Sequence, residues 1–169
     1  MDLNQNYKTG HVKPWWTDEY KNLEFIQKPF NNEEDLKSWK EKGYILKECI
    51  GWNYIVKDDE WARPFFTLFN GNNTGVTIFK MNTADILPLH RDTYKFYKSK
   101  YNINDETIYR AIVFLEDWKS GHLLEVENEL QHNWKAGDYV LWKNDAIHMA
   151  ANLGLESRYT AQITFTYEN

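Results

Sequence analysis

The stretch Arg158 to Tyr167, with the sequence RYTAQITFTY, alternates strictly between two kinds of side chain. Tyr, Ala, Ile and Phe fall on one set of positions, and Arg, Thr and Gln fall on the other. Because successive side chains of a strand point to opposite faces of a sheet, this period of two predicts a β-strand. Its apolar face would pack on a core. Its polar face would be either exposed to solvent or turned towards a site.

Further strand patterns occur upstream, from Gly75 onwards. The candidate strands, which are rich in apolar and β-branched residues, are Val76 to Met81, Ile108 to Leu115, Leu123 to Val126, Tyr139 to Trp142 and Ile147 to Ala150. Turn-forming pairs such as Ser120-Gly121 and Gly137-Asp138 separate them. Short strands with frequent turns, and no helix predicted between them, indicate a β-sandwich or barrel.

The first 70 residues have a different pattern. Asn32 is a good N-cap, acidic residues fill the first turn after it, and Gly43 is a stop signal, which together predict a helix. Leu36 and Trp39 give this helix one packing face. We therefore predict a mainly β protein with an N-terminal helix (α+β). A cap segment, residues 1–70, would cover a β core, residues 71–169, within one compact domain.

Composition excludes several classes of protein. The chain has 169 residues and a net charge of -5, which argues against a nucleic-acid binder, because such proteins present a clustered basic surface. Its single cysteine, Cys49, excludes an internal disulfide framework and cysteine-rich zinc modules. No run of about 18 apolar residues is present, so no membrane association is predicted. The polar stretch Met1 to Gly10 has no hydrophobic secretion segment, and we expect a cytoplasmic protein.

Two histidines and an aspartate form a candidate metal site. In His90-Arg91-Asp92, the first and third residues of an extended segment point to the same side. His148 follows 58 residues after His90, within a short apolar segment. Two imidazoles and one carboxylate on one face of an ion leave the opposite face open, as in the facial triad of non-haem Fe(II) oxygenases. Taken separately, His90 and Asp92 favour a surface hydrogen bond over a metal site, and His148 favours a satisfied core histidine.

Arg158 follows His148 by ten residues, and Thr160 shares its face of the last predicted strand. An arginine grips a carboxylate through two hydrogen bonds, and a threonine hydroxyl adds a third. An exposed strand face would explain both residues equally well. The combined spacing of His90, Asp92, His148 and Arg158 favours a site.

This combined pattern resembles that of the 2-oxoglutarate/Fe(II)-dependent oxygenases, whose core is a double-stranded β-helix (a jelly roll, similar to that of cupins). Their motif is H-x-D, a distal histidine, and a basic residue about ten positions later that is followed by x-Ser/Thr. The resemblance covers about residues 75–167 and is strongest to the prolyl-hydroxylase-like and aspartyl/asparaginyl-hydroxylase-like branches. The intervening stretches that carry it are Val113 to Trp118, Gly121 to Val126 and Trp134 to Trp142.

The sequence also departs from these relatives. Prolyl hydroxylases usually have lysine where this chain has Arg158, and they have an acidic residue at the position of His122. Animal aspartyl hydroxylases lack the carboxylate ligand, whereas Asp92 is present here. Nucleic-acid demethylases place a second arginine at the position of Thr164.

The resemblance implies a function and a set of site residues. Fe(II) would bind His90, Asp92 and His148, and 2-oxoglutarate would bind Arg158 and Thr160. The enzyme would use O2 to hydroxylate a C–H bond of a protein or peptide side chain or of an amino acid, and 2-oxoglutarate would become succinate and CO2. Two alternatives remain, a cupin-type metalloenzyme that does not use 2-oxoglutarate and a non-catalytic jelly-roll binding module.

Three further residues are candidates for contact with the substrate. Arg110 opens a predicted core strand, where it would meet either a substrate carboxylate or a structural acid. Trp142 would either line the pocket or simply pack. Tyr94 belongs to the aromatic-rich stretch 93–107, which we expect to form either a substrate lid or a mobile surface loop.

Overall fold

The computed structural model describes residues 7–27, 32–46, 49, 51–104, 107–143 and 146–167, and within them it contains eleven strands and two α-helices. The strands are β1 (Tyr7–His11), β2 (Ile26–Gln27), β3 (Trp52–Ile55), β4 (Asn72–Met81), β5 (Ile86–His90), β6 (Ile108–Phe114), β7 (His122–Val126), β8 (Glu129–Gln131), β9 (Asp138–Lys143), β10 (His148–Asn152) and β11 (Arg158–Thr166). The helices are α1 (Glu33–Glu41) and α2 (Lys95–Tyr101), and two short 3-10 helices span Glu19–Asn22 and Glu60–Phe66.

The strands form two antiparallel sheets. The larger has the order β1-β9-β6-β11-β4-β3-β2, and the smaller has the order β5-β10-β7-β8. The chain crosses from one sheet to the other several times, for example between β4 and β5 and between β9 and β10. This arrangement is a double-stranded β-helix, or jelly roll, as predicted.

The alternation in β11 has the predicted structural consequence. Ala161, Ile163 and Phe165 lie in the main hydrophobic cluster, against Val76 and Ile78 of β4. Most of the opposite face is buried, and only Gln162 on it is partly exposed. Its polar side chains line an internal cavity between the two sheets; they are Arg158, Thr160, Gln162 and Thr164. The exposed-face alternative is therefore wrong for this strand.

All six predicted strands are present, with ends that differ by a few residues. Five further strands, β1, β2, β3, β5 and β8, were not predicted. β5 contains Pro88, which cannot donate to a ladder and is therefore confined to edges, and β5 is indeed at the edge of the smaller sheet. β8 is only three residues long, and β2 only two.

The expectation of no helix among the core strands is wrong, because α2 lies between β5 and β6. Tyr94, Tyr97 and Tyr101 recur at the helical spacing of three and four residues. Tyr94 and Tyr97 are buried against Ile103 and Ile108, so an apolar stripe holds this polar stretch in place. It is therefore a packed helix along residues 95–101 and not a loop.

The N-terminal segment joins the core closely. Helix α1 forms as predicted, with the Asn32 side chain accepting a hydrogen bond from the Glu34 backbone N–H. β1, β2 and β3 extend the larger sheet, and Trp16 and Tyr20 lie in its hydrophobic cluster. The division at residue 70 stays a prediction, and residues 1–6 of the polar N-terminal stretch lie outside the described residues. Among the described helices, none has the length and apolar character needed to span a bilayer.

Candidate metal centre

His90 and His148 are brought together by the pairing of two strands. His90 is the last residue of β5 and His148 the first of β10, and the two are directly opposite each other in the antiparallel register. Their ring centroids are 4.2 Å apart. Asp92 follows β5 by two residues, so the chain delivers all three side chains to one end of the smaller sheet.

The three side chains form a compact set of ligand atoms. Asp92 Oδ1 is 3.9 Å from His90 Nε2, and Asp92 Oδ2 is 3.8 Å from His148 Nε2. The ligand atoms of the group all lie within 4.8 Å of one another. Since metal–nitrogen and metal–oxygen bonds are about 2.0–2.2 Å long, one ion reaches all three after a small inward adjustment. Asp92 Oδ2 is buried without a hydrogen-bond partner in the described structure, as expected of a ligand atom.

Each imidazole is held by a backbone carbonyl. His90 Nδ1 lies 2.7 Å from the Pro88 oxygen, and His148 Nδ1 lies 3.1 Å from the Ala146 oxygen. A carbonyl only accepts, so both Nδ1 atoms carry the proton and donate. The lone pair is then on Nε2, which faces the other ligand atoms. This is the orientation that second-shell partners impose on metal-binding histidines.

The electrostatics keep the three groups in their metal-binding protonation states. Burial, reinforced by the neighbouring His148, lowers the pKa of His90 to about 4. Burial also lowers the pKa of His148. For Asp92, burial alone would raise the pKa, but nearby Arg110 and the two histidines outweigh it and hold the pKa below its ordinary value. At neutral pH the site therefore has two neutral imidazoles and one carboxylate, which is what metal binding requires.

Helix α1 supports the site from behind. Trp39 is buried, its indole Nε1 donates to the Leu89 backbone oxygen at 3.2 Å, and its ring meets the His90 ring edge-on at 5.9 Å. The sequence predicted that Trp39 lies on the packing face of the helix, but it did not indicate the contact with His90. Only the presence of a large aromatic residue at this position hinted at it.

Replacing Trp39 with phenylalanine should weaken metal binding. The ring contact is largely retained, but the hydrogen bond to Leu89 beside the ligand is lost, and such outer contacts are worth roughly tenfold or more in metal affinity. Titration with Co(II), followed by its visible absorption, measures the effect. The matched control is Trp15→Phe, because Trp15 Nε1 donates to the Trp61 backbone oxygen instead. Equal affinity in both variants would show that Trp39 does not support the site.

Arg158 and Thr160 lie in the same cavity as the three candidate ligands. The cavity is about 350 Å³ and lies between the two sheets. Arg158 is 5% exposed and Thr160 is 1% exposed. The Arg158 guanidinium donates to the Leu123 backbone oxygen and contacts Met81 Sδ, and its Nε has no hydrogen-bond partner in the described structure. No carboxylate of the described residues lies within ion-pair distance of it.

A buried arginine without a counter-ion is unusual, because burying a charge is costly unless it is paired. Burial lowers the pKa of Arg158 to about 10, and no neighbouring acid opposes this shift. The guanidinium remains charged at neutral pH. A small carboxylate that entered the cavity would supply the missing counter-ion.

The three candidate substrate residues are clustered beside the triad. Arg110 Nη2 lies 3.5 Å from Asp92 Oδ2, and its Nη1 donates to Gln162 Oε1 at 2.8 Å. Tyr94 is buried with its ring 5.2 Å from the Arg110 guanidinium. Trp142 is fully buried with its ring 4.8 Å from that of His148. All three line the cavity.

Two of the other described histidines have partners outside the triad. His122 is buried and its Nε2 lies 3.0 Å from the Glu156 backbone oxygen. At the surface, His11 Nδ1 lies 2.8 Å from Asp138 Oδ1. Neither belongs to the metal-ligand group.

Comparison with known proteins identifies the fold. No protein-family model matches the sequence, and no curated protein is significantly similar to it. Among solved structures, a prolyl-4-hydroxylase from Pseudomonas putida matches with a TM-score of 0.56 and 12% identity, over 90% of this chain and 97% of that chain. The chain shares the jelly-roll fold of that hydroxylase.

Two weaker matches have TM-scores below 0.5. A predicted oxalate decarboxylase from Thermotoga maritima has a TM-score of 0.45 and 11% identity, over 69% of this chain and 81% of that chain. The cupin domain of Cnp3 from Schizosaccharomyces pombe has a TM-score of 0.44 and 9% identity, over 69% of this chain and 64% of that chain.

Proposed function

We propose that the protein is a 2-oxoglutarate- and Fe(II)-dependent dioxygenase. It binds Fe(II) through His90, Asp92 and His148, and it binds the distal carboxylate of 2-oxoglutarate through Arg158 and Thr160. Its substrate is a protein or peptide side chain or an amino acid. The observation that carries the proposal is the buried, unpaired charge of Arg158 in the same cavity as a candidate metal triad.

The bound iron would supply oxidative chemistry, in which O2 and 2-oxoglutarate yield succinate, CO2 and a hydroxylated substrate. The chain itself would supply position and exclusion of water. The carbonyls of Pro88 and Ala146 fix the two imidazoles. Apolar side chains that line the cavity would keep the co-substrate in a dry environment; they are Phe79, Leu87, Ile112, Leu124 and Ala150.

The two alternatives explain less of this cavity. A cupin-type metalloenzyme that does not use 2-oxoglutarate accounts for the triad, but it leaves the charge of Arg158 without a purpose. A non-catalytic binding module accounts for Arg158, but it has no need for two oriented imidazoles beside a buried carboxylate. The dioxygenase proposal gives both features a role.

Thermal stabilisation by ligands tests this proposal. Mn(II) and 2-oxoglutarate together, each at about 100 times its dissociation constant, should raise the melting temperature by roughly 10–20 °C, since each ligand at that excess stabilises the fold by about 2.7 kcal/mol. 2-Oxoglutarate without metal should do much less, because its chelating end then has no partner. Glutarate, which lacks the 2-oxo group, is the matched control. Equal shifts with glutarate and 2-oxoglutarate, or none with either, would contradict the proposal.

A further inference from the structure

Three hydrogen-bond donors beside the triad are buried and have no partner at hydrogen-bond distance in the described structure, although Tyr94 interacts more weakly with Asp92, Trp142 and Arg110. They are Tyr94 Oη, Trp142 Nε1 and Arg110 Nε. Tyr94 is 7% exposed and Trp142 is 1% exposed, so solvent does not satisfy them. Leaving a buried donor unpaired is costly, and such groups are rare in folded proteins. Three of them in one cavity indicate that a ligand completes the site.

The three donors border the metal site on one side. Arg110 and Trp142 are directly opposite each other in the register of β6 and β9. The Arg110 guanidinium lies over the Tyr94 ring, and the Trp142 ring lies against His148. The donors thus lie next to Asp92 and His148, close to where a substrate would place the bond that reacts.

This donor cluster is separate from the co-substrate end of the cavity. On β11, the residue opposite Arg110 is Thr164, six residues from Arg158. At about 3.3 Å per residue, the two backbone positions are roughly 20 Å apart along the sheet. The distal carboxylate of a co-substrate held by Arg158 is therefore remote from the cluster, and that end of the molecule leaves Tyr94, Trp142 and Arg110 unused.

The charge of the cavity favours an anionic occupant. Among the described residues that line it, four are basic, namely Lys95, Lys100, Arg110 and Arg158, and Asp92 is the single acid. This is a local excess in a chain with 25 acidic and 20 basic residues. The carboxylate of Asp92 now balances the charge of Arg110. If a divalent metal bound Asp92, that carboxylate would balance the metal instead, and the charge of Arg110 would lack a counter-ion.

We propose that Tyr94, Trp142 and Arg110 form an anion subsite that receives a carboxylate of the primary substrate, so that the protein acts on an acidic amino acid or peptide. This inference rests on the proposed function, because the subsite is defined relative to a bound metal and 2-oxoglutarate. Tyr94 and Trp142 donate to the carboxylate, and Arg110 supplies the charge. Lys95 and Lys100, which are exposed at the cavity wall, attract the anion towards it.

A pair of matched small probes tests the inference. Anaerobic protein loaded with Fe(II) and saturated with 2-oxoglutarate is titrated with N-acetylglycine and, separately, with N-acetylglycinamide, which differs only by an amide in place of the carboxylate. Binding next to the metal is followed as a shift of the visible iron–2-oxoglutarate absorption band. We expect the acid to bind at least tenfold more tightly than the amide. Tyr94→Phe and Trp142→Phe should each lower the affinity for N-acetylglycine about tenfold, because each removes one hydrogen bond to a charged group. Neither variant should change the affinity for 2-oxoglutarate.

Tyr101→Phe is the control, since Tyr101 also lines the cavity but its hydroxyl already donates to the Thr74 backbone oxygen. It should leave the affinity for N-acetylglycine unchanged. Equal binding of the acid and the amide to wild-type protein that shows the band would overturn the acidic-substrate inference alone. A loss of 2-oxoglutarate affinity in Tyr94→Phe or Trp142→Phe would assign these donors to the co-substrate and overturn it as well. Absence of the band from folded, iron-loaded wild-type protein would instead count against the proposed function.

Discussion

Replacing His148 with alanine is expected to reduce metal affinity by on the order of 100-fold or more. The variant removes one of three ligands, whereas disturbing an outer contact alone typically costs 10- to 100-fold. The fold should survive, because the imidazole lies at the start of β10, and the strand keeps its pairing with β5 and β7. Co(II) titration measures the affinity, and circular dichroism checks the fold.

His122→Ala is the matched control for this variant. His122 is buried to a similar degree, but its imidazole contacts the Glu156 backbone oxygen and no candidate ligand. Its loss should lower the melting temperature and leave Co(II) affinity unchanged. If folded His148→Ala kept full Co(II) affinity, the triad would not be the metal site.

The second large effect is expected for Arg158→Gln. This variant removes the unpaired charge, and with it a pair of charge-assisted hydrogen bonds to the distal carboxylate that are worth roughly 3 kcal/mol together, or about 100-fold in 2-oxoglutarate affinity. Co(II) affinity should not change, because Arg158 contacts Leu123 and Met81 and none of the three ligands. Titration of metal-loaded protein with 2-oxoglutarate measures the loss.

Arg158→Lys separates charge from geometry. Lysine keeps the positive charge but not the planar fork, so an intermediate loss of about tenfold is expected. An equal loss of metal and 2-oxoglutarate in Arg158→Gln would indicate a damaged fold. Unchanged 2-oxoglutarate affinity in a folded variant would show that another group holds the co-substrate.

The sequence predicted the parts of this structure that depend on local periodicity. The period of two in β11 identified both its core face and the face on which Arg158 and Thr160 lie. The spacing of His90, Asp92 and His148 identified three side chains that the fold brings within 4.8 Å of one another. Short-range pattern was sufficient for β11 and for the pair His90 and Asp92, whereas His148, 58 residues further along, was assigned because the combined spacing resembles the oxygenase motif.

Features that depend on pairing between distant segments were not predictable in this way. β5 contains Pro88 and has no alternation, and it is a strand because β10 pairs with it. Trp39 contacts His90 across 51 residues of chain, which no local pattern encodes. Among the described residues, the lack of an acid beside Arg158 and the unpaired donors of Tyr94 and Trp142 emerge only when the two sheets face each other.

The most direct test of the account is the optical spectrum of anaerobic protein with Fe(II) on addition of 2-oxoglutarate. Bidentate chelation of iron by 2-oxoglutarate produces a visible metal-to-ligand charge-transfer band. We expect this band in the wild-type protein, its absence in His148→Ala, and a need for about 100-fold more 2-oxoglutarate in Arg158→Gln. Folded wild-type protein that binds Fe(II) but shows no band at saturating 2-oxoglutarate would contradict it.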